Sequence, residues 1–107
     1  MVHAHLRAAA PRDVEDAVAY YRDEAGATVA PDFVDSSEAA IDDLRQYPLI
    51  GSLRFAFELE IPDLRSWSLQ RFPYLAFYAP DDDSVDIWRV LHTRRDIPTF
   101  LTADRPA

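Results

Sequence analysis

The sequence has no cysteine and no lysine, and only two glycines and one methionine among its 107 residues. The missing cysteine excludes a disulfide framework, a thiol nucleophile and every zinc site built on Cys. Stability must then come from packing, which 49% hydrophobic residues can supply in a single domain spanning 1–107. No apolar run approaches the ~20 residues that span a bilayer. The opening MVHAHLRAAAPRD lacks the basic-then-apolar order of a signal peptide. A soluble, cytoplasmic protein with no membrane partner is expected. All eleven bases are arginine, against 14 Asp and 5 Glu, which leaves a net charge of −8. Such a surface repels phosphate backbones, so free nucleic acid is not an expected partner unless arginines cluster locally.

The two glycines fall where helices should end. Val14, Ala17, Val18, Tyr21 and Ala25 recur at steps of three and four, Pro11 suits a first turn, and Asp13, Glu15 and Asp16 sit where the helix dipole favours acids. They predict a helix from about Pro11 to Ala25, stopped by Gly26. Phe33 or Val34, Ser37, Ile41 and Leu44 predict a second helix that starts between Thr28 and Pro31 and ends before Pro48. A link this short makes an antiparallel helical hairpin. VHAHLRA reads as a first strand. After Gly51 the period turns alternating: Phe55, Phe57, Leu59 and Ile61, then Trp67 and Leu69, then Leu75 and Phe77, then VDIWRVLH. Pro80 and Asp81 to Asp83 make a hairpin loop, a last turn or helix runs from about Pro98 to Ala103, and Arg105 to Ala107 should fray. The fold class is α+β: an N-terminal strand and an antiparallel helical hairpin packed on one face of a C-terminal antiparallel sheet of three to four strands. The other sheet face is expected to be partly open, a natural place for a partner.

Most candidate chemistry is weak. His3 and His5 would point the same way on a strand, but no third ligand follows at metal spacing, so an exposed strand edge is the better reading. The Asp81–Asp83 run lacks the Gly and distal Glu of a calcium loop. No nucleophile turn accompanies the Ser, His and Asp residues. Neither a metal nor a cofactor is expected. The informative stretch is 65–96, which holds Arg65, Arg71, Arg89, Arg94 and Arg95 with Trp67, Tyr74, Tyr78, Trp88 and His92. By alternation Arg89 shares a face with Val85, Ile87 and Leu91, while Trp88, Val90 and His92 share the other. An arginine embedded in a core needs a carboxylate, and Asp96 or Asp86 is the candidate, with Arg89 and Asp96 as a structural clamp. Arg65 and Arg71 are read as surface recognition residues.

The stretch LRSWSLQRFPYLAFYAPDDDSVDIWRVLHTRRDI resembles the C-terminal half of ParE toxins of the RelE/ParE superfamily. The matching positions are Arg65, Phe77, Tyr78, Arg89, Val90, Leu91, His92, Arg95 and Asp96, and the first half agrees through AVAYY, FVDSSEAAIDDL, Pro48, Ile50 and Gly51. SLRFAFELE departs from that pattern, being more apolar than a polar loop, and is expected as an added strand or an edge of the partner groove. The resemblance implies a RelE/ParE-like fold and the toxin of a type II toxin–antitoxin pair. It further implies inhibition of DNA gyrase, neutralisation by a ParD-like antitoxin that wraps the sheet and hairpin, and a toxin–antitoxin hetero-oligomer. Arg65, Trp67, Arg71, Tyr78, Trp88, Arg94 and Arg95 are the candidate target or partner contacts. RelE-like relatives cut messenger RNA in the ribosome, and for that alternative Arg65, Arg89 and His92 are the candidate set. Lysine is absent, no Tyr follows Tyr78, and arginine is a poor proton acceptor, so a non-catalytic toxin is expected. A ParE-fold binding protein without toxicity is the third reading.

Overall fold

A computed structural model describes residues 1–26 and 28–103. The predicted fraying of Arg105 to Ala107 lies outside them. Strand β1 (His3–Leu6) leads into helix α1 (Ala9–Ala25) and helix α2 (Val29–Gln46). A short helix α3 (Arg54–Leu59) follows, then β2 (Arg65–Ser68), β3 (Tyr74–Pro80), β4 (Ser84–His92) and helix α4 (Ile97–Ala103).

The helical hairpin forms as its periodicity requires. α2 buries Ala30, Phe33, Ser37, Ala40 and Leu44, a spacing of three and four that keeps one stripe against the sheet. The small side chains at 30, 37 and 40 let α1 and the sheet approach closely. Ser37 keeps its buried hydroxyl satisfied by donating to the Val34 carbonyl at 2.8 Å. Gly26 ends α1 at φ 91°, in the range that only glycine reaches freely.

The sheet order is β1-β4-β3-β2. β2, β3 and β4 pair antiparallel, as predicted, but β1 runs parallel to β4 with Leu6 opposite Ile87, so the sheet is mixed. The β3–β4 register slips once: Phe77 faces Arg89 while Tyr78 faces Ile87, leaving Trp88 as an extra residue on β4. A slip of one residue exchanges faces, so the strict alternation expected for β4 fails. Val85, Ile87 and Val90 pack toward the hairpin with Ala76 and Tyr78, whereas Trp88 and Leu91 pack away from it with Phe77.

Two further expectations are overturned. The segment SLRFAFELE contains a helix, not a strand or a loop. Phe55 and Leu59, four apart, point inward together, while Phe57 is 80% exposed. Glu60 then closes the turn with left-handed backbone at φ 54° before Pro62. Ser52 already occupies the β2 edge by exchanging two backbone bonds with Ser66, at 2.9 and 3.0 Å. The second sheet face is also not open, because α3 and α4 cover it with a second core of Phe55, Ile61, Leu64, Phe77, Trp88, Leu91, Ile97 and Leu101. His3 and His5 are exposed on edge strand β1, and the described residues hold no group of three metal-ligating side chains. Asp81 to Asp83 form the tight β3–β4 turn, with Asp82 N–H donating to Asp81 Oδ1 at 2.8 Å.

Candidate functional site

β1 stops pairing at Ile87, so the last third of β4 has no strand on its outer side. The first turns of α1 fill that place. Asp13 accepts the Val90 backbone N–H at 3.0 Å and takes Arg89 bidentately, Nε at 2.8 Å and Nη2 at 2.7 Å. The pair is nearly enclosed, with side-chain exposures of 14% for Arg89 and 10% for Asp13. The predicted Arg89–Asp96 clamp is therefore corrected: an embedded guanidinium did need a carboxylate, but helix α1 supplies it. Asp96 instead accepts from the Thr99 hydroxyl at 2.7 Å, just ahead of α4.

Beside this pair lies a cleft of about 430 Å³ between α1, the end of β4 and α4. Asp16 and Tyr20 form its α1 wall, Tyr74 and His92 its sheet wall, and Arg94, Arg95 and Phe100 its outer rim. The Phe100 ring carries two guanidinium groups, Arg89 at 5.0 Å and Arg95 at 5.5 Å from its centroid. His92 packs edge-on against Tyr74 at 5.1 Å, and its Nδ1 accepts the Arg94 N–H at 3.0 Å. The Nδ1 lone pair of His92 is therefore engaged by the backbone. Burial raises the Tyr74 hydroxyl above the usual tyrosine range, as does neighbouring Tyr21, with Arg95 opposing. The cleft therefore offers cationic and neutral donors, with Asp16 as its one carboxylate outside the Arg89 pair among the described residues.

The predicted recognition residues do not form one surface. Arg94 and Arg95 are exposed on the cleft, where Arg89 and His92 join them. Arg65 and Tyr78 instead pin the segment between α2 and α3. Tyr78 is fully buried, donates to the Pro48 carbonyl at 2.7 Å and accepts the Gly51 N–H at 3.0 Å. Burial holds its hydroxyl above the usual range, against the opposing Gly51 bond and Arg65 charge. Arg65 Nη1 donates to the Leu49 and Gly51 carbonyls, both at 2.9 Å. Trp88 is buried under the Arg7 guanidinium at 4.1 Å and donates to Asp86. Trp67 is half-buried, its Nε1 donating to Asp43 on α2 at 3.3 Å. Tyr78 and Trp88 are therefore corrected from contact residues to core, and Arg65 to a loop clamp. Arg71 is 73% exposed, 3.5 Å from Asp32. The nuclease set Arg65, Arg89 and His92 is split, with only the last two in the cleft.

Asp13, Tyr20 and Phe100 were not among the candidate site residues read from the sequence. Asp13 lies 76 positions from Arg89, and no local period links them. The structure also reveals an apolar groove of about 440 Å³ on the outer side of the hairpin, floored by Val18, Ala30, Pro31 and Val34 and edged by Arg22 and Asp35. It sits in the acidic half of the chain: residues 9–46 hold ten acids and three arginines, hence seven of the eight net negative charges.

The family model described as ParE toxin of type II toxin-antitoxin system, parDE, matches residues 5–97. No curated protein matches the sequence. Among solved structures the fold is similar to a chain of the chromosomal ParDE TA system from P. aeruginosa, with a TM-score of 0.72 and 22% identity over 86% of this chain and 96% of that one.

Proposed function

This chain belongs to the ParE toxin family of type II toxin–antitoxin systems, and on that footing we propose that it is a cytoplasmic, non-catalytic toxin that inhibits DNA gyrase and is neutralised by a ParD-like antitoxin. The observation that carries the binding reading is the state of its arginines. Arg89 is spent on Asp13, whereas Arg94 and Arg95 face solvent at the mouth of a cleft with aromatic walls. Exposed guanidinium groups beside aromatic rings suit recognition of a protein surface. The ribosomal nuclease alternative needs a proton acceptor near a phosphate, and His92 has its Nδ1 engaged by Arg94.

The antitoxin reading rests on the hairpin groove, whose apolar floor and acidic surroundings suit an amphipathic segment with basic flanks. Such a surface, left bare, makes the toxin easier to purify as a hetero-oligomer than alone. The test has two arms. The purified chain should block gyrase supercoiling and accumulate cleaved plasmid, while leaving ribosome-bound messenger RNA intact. Messenger RNA cleavage with gyrase unaffected would overturn the reading. In the second arm, the product of the adjacent reading frame should co-purify with the chain and abolish the gyrase effect. A Val34→Glu variant, changed on the groove floor, should lose that product.

A further inference from the structure

The cleft and the hairpin groove lie on two flanks of one helix. Asp13, Asp16, Ala17 and Tyr20 of α1 face the cleft, and Val18 and Arg22 face the groove. The cleft carries the exposed guanidinium groups of Arg94 and Arg95, whereas the groove has an apolar floor edged by one arginine and one aspartate within an acidic hairpin. Arg89 and Arg95 are held on one phenyl ring, with Arg94 beside them, in a chain whose net charge is −8. Asp13 neutralises the first of these, but no carboxylate within hydrogen-bonding distance of Arg94 or Arg95 is found among the described residues. Cations crowded around an apolar floor favour an anion between them.

We propose that this cleft receives an acidic peptide segment of the antitoxin, the same partner that fills the hairpin groove. A carboxylate side chain lies between Arg94 and Arg95, and a neighbouring ring or aliphatic side chain rests on Tyr20, Tyr74 and Phe100. The assignment rests on the antitoxin reading above. Two features select a peptide over a nucleic acid strand. Asp16 stands in the cleft wall and the adjacent hairpin is strongly acidic, which penalises a continuous polyanion but tolerates a carboxylate bracketed by two guanidinium groups. The volume, about 430 Å³, suits one or two side chains better than a run of nucleotides. Continuity around α1 selects the partner: a chain leaving the groove past Val18 reaches the cleft by crossing a single helix. Neutralisation is then direct, because the antitoxin occupies the exposed arginines that the target would use.

The test uses fluorescence anisotropy with three labelled probes. One is a capped octapeptide with an Asp-Phe-Glu core in a Gly-Ser frame, one carries Asn-Phe-Gln in the same frame, and one is an eight-nucleotide oligothymidylate. The acidic peptide should bind the free chain, the amide peptide about tenfold more weakly, and the oligonucleotide more weakly than the acidic peptide. The R94E/R95E variant changes only exposed side chains, and a native circular-dichroism melt would show that it folds. It should bind the acidic peptide about 30-fold more weakly. Equal binding of the two peptides, tighter binding of the oligonucleotide, or R94E/R95E within twofold of the parent would overturn the proposal. The purified toxin–antitoxin complex should no longer take the acidic peptide, and undiminished uptake by the complex would overturn the antitoxin as the source of the segment. Gyrase inhibition is read separately, so a chain that binds the peptide but leaves gyrase untouched sinks the target reading alone.

Discussion

Replacing Asp13 with alanine should be among the most damaging single changes in the chain. The carboxylate accepts three hydrogen bonds, two from Arg89 and one from the Val90 amide, at a place where β4 has lost its strand neighbour. Alanine removes all three acceptor contacts and leaves a guanidinium group, 14% exposed, without its bidentate partner. Breaking such a buried pair from one side costs about 3–5 kcal/mol. An unpaired buried amide can add roughly 1–3 kcal/mol where water does not reach it. Residual exposure of the pair and the contact of Arg89 with Phe100 argue for the lower part of that sum. A loss of about 4 kcal/mol is a large share of the ~5–15 kcal/mol that stabilises a small domain. At about 4–8 °C per kcal/mol it lowers the melting temperature by roughly 16 °C or more.

The assay is urea unfolding followed by tryptophan fluorescence, for which Trp67 and Trp88 report from the two sides of the sheet. Asp96→Ala is the control. Among the described residues the Asp96 carboxylate accepts only from the exposed Thr99 hydroxyl, so its loss should stay below about 1 kcal/mol. The pair Asp13→Ala and Arg89→Met, combined in a double-mutant cycle, should show a coupling of about 2 kcal/mol or more, because the double variant leaves no charge behind. Equal effects at Asp13 and Asp96, or a coupling near zero, would refute the claim that α1 holds the end of β4 through this pair.

Other consequences follow from the pinned segment and the buried phenols. A Cβ at Gly51 would meet Tyr78 Oη at 2.7 Å and Cε1 at 2.8 Å, so Gly51→Ala should destabilise by about 1–3 kcal/mol in a thermal melt; a neutral result would show that the Tyr78 ring can move aside. Tyr78→Phe deletes the bond to Pro48 and the acceptor for Gly51, an expected loss of about 1–3 kcal/mol in the same measurement. Tyr21, Tyr74 and Tyr78 all have hydroxyls raised from 10.0 by burial, so the unfolded chain loses these protons first. Stability is then fully present below pH 10 and falls as the pH rises through the folded values, and Tyr78→Phe should flatten that decline in urea melts run between pH 9 and 11. Phe57→Asp, at a side chain 80% exposed on α3, should leave stability within about 0.5 kcal/mol.

What could be read in the sequence was local. Both long helices could be placed because α2 repeats its buried positions over five turns and each helix has a glycine or proline near its end. The turn at Asp81–Asp83 and the helix after Ile97 were legible for the same reason. The short apolar run at 55–61 was not, because four alternating positions in seven residues fit either a strand or one helical face, and the choice was made elsewhere, by Ser52 closing the β2 edge. The parallel pairing of β1 depends on contacts about 80 residues apart and leaves no mark on either strand.

The misread site has a single physical root. One extra residue at Trp88 moves the second half of β4 across the sheet, sending Val90 toward the hairpin and Leu91 toward α4. The rule that an embedded arginine needs a carboxylate held, yet its partner could not be chosen without knowing which helix reaches the open end of β4. Once Asp13 takes Arg89, four arginines of the 65–96 stretch separate by position: Arg65 and Arg89 hold backbone segments, and Arg94 and Arg95 are exposed at the cleft. The charge is distributed unevenly in the same way, with seven of the eight net negative charges in the hairpin and the exposed Arg94 and Arg95 at the cleft. A molecule polarised across the width of one helix is suited to a partner that is itself polarised, basic where it crosses the hairpin and acidic where it ends.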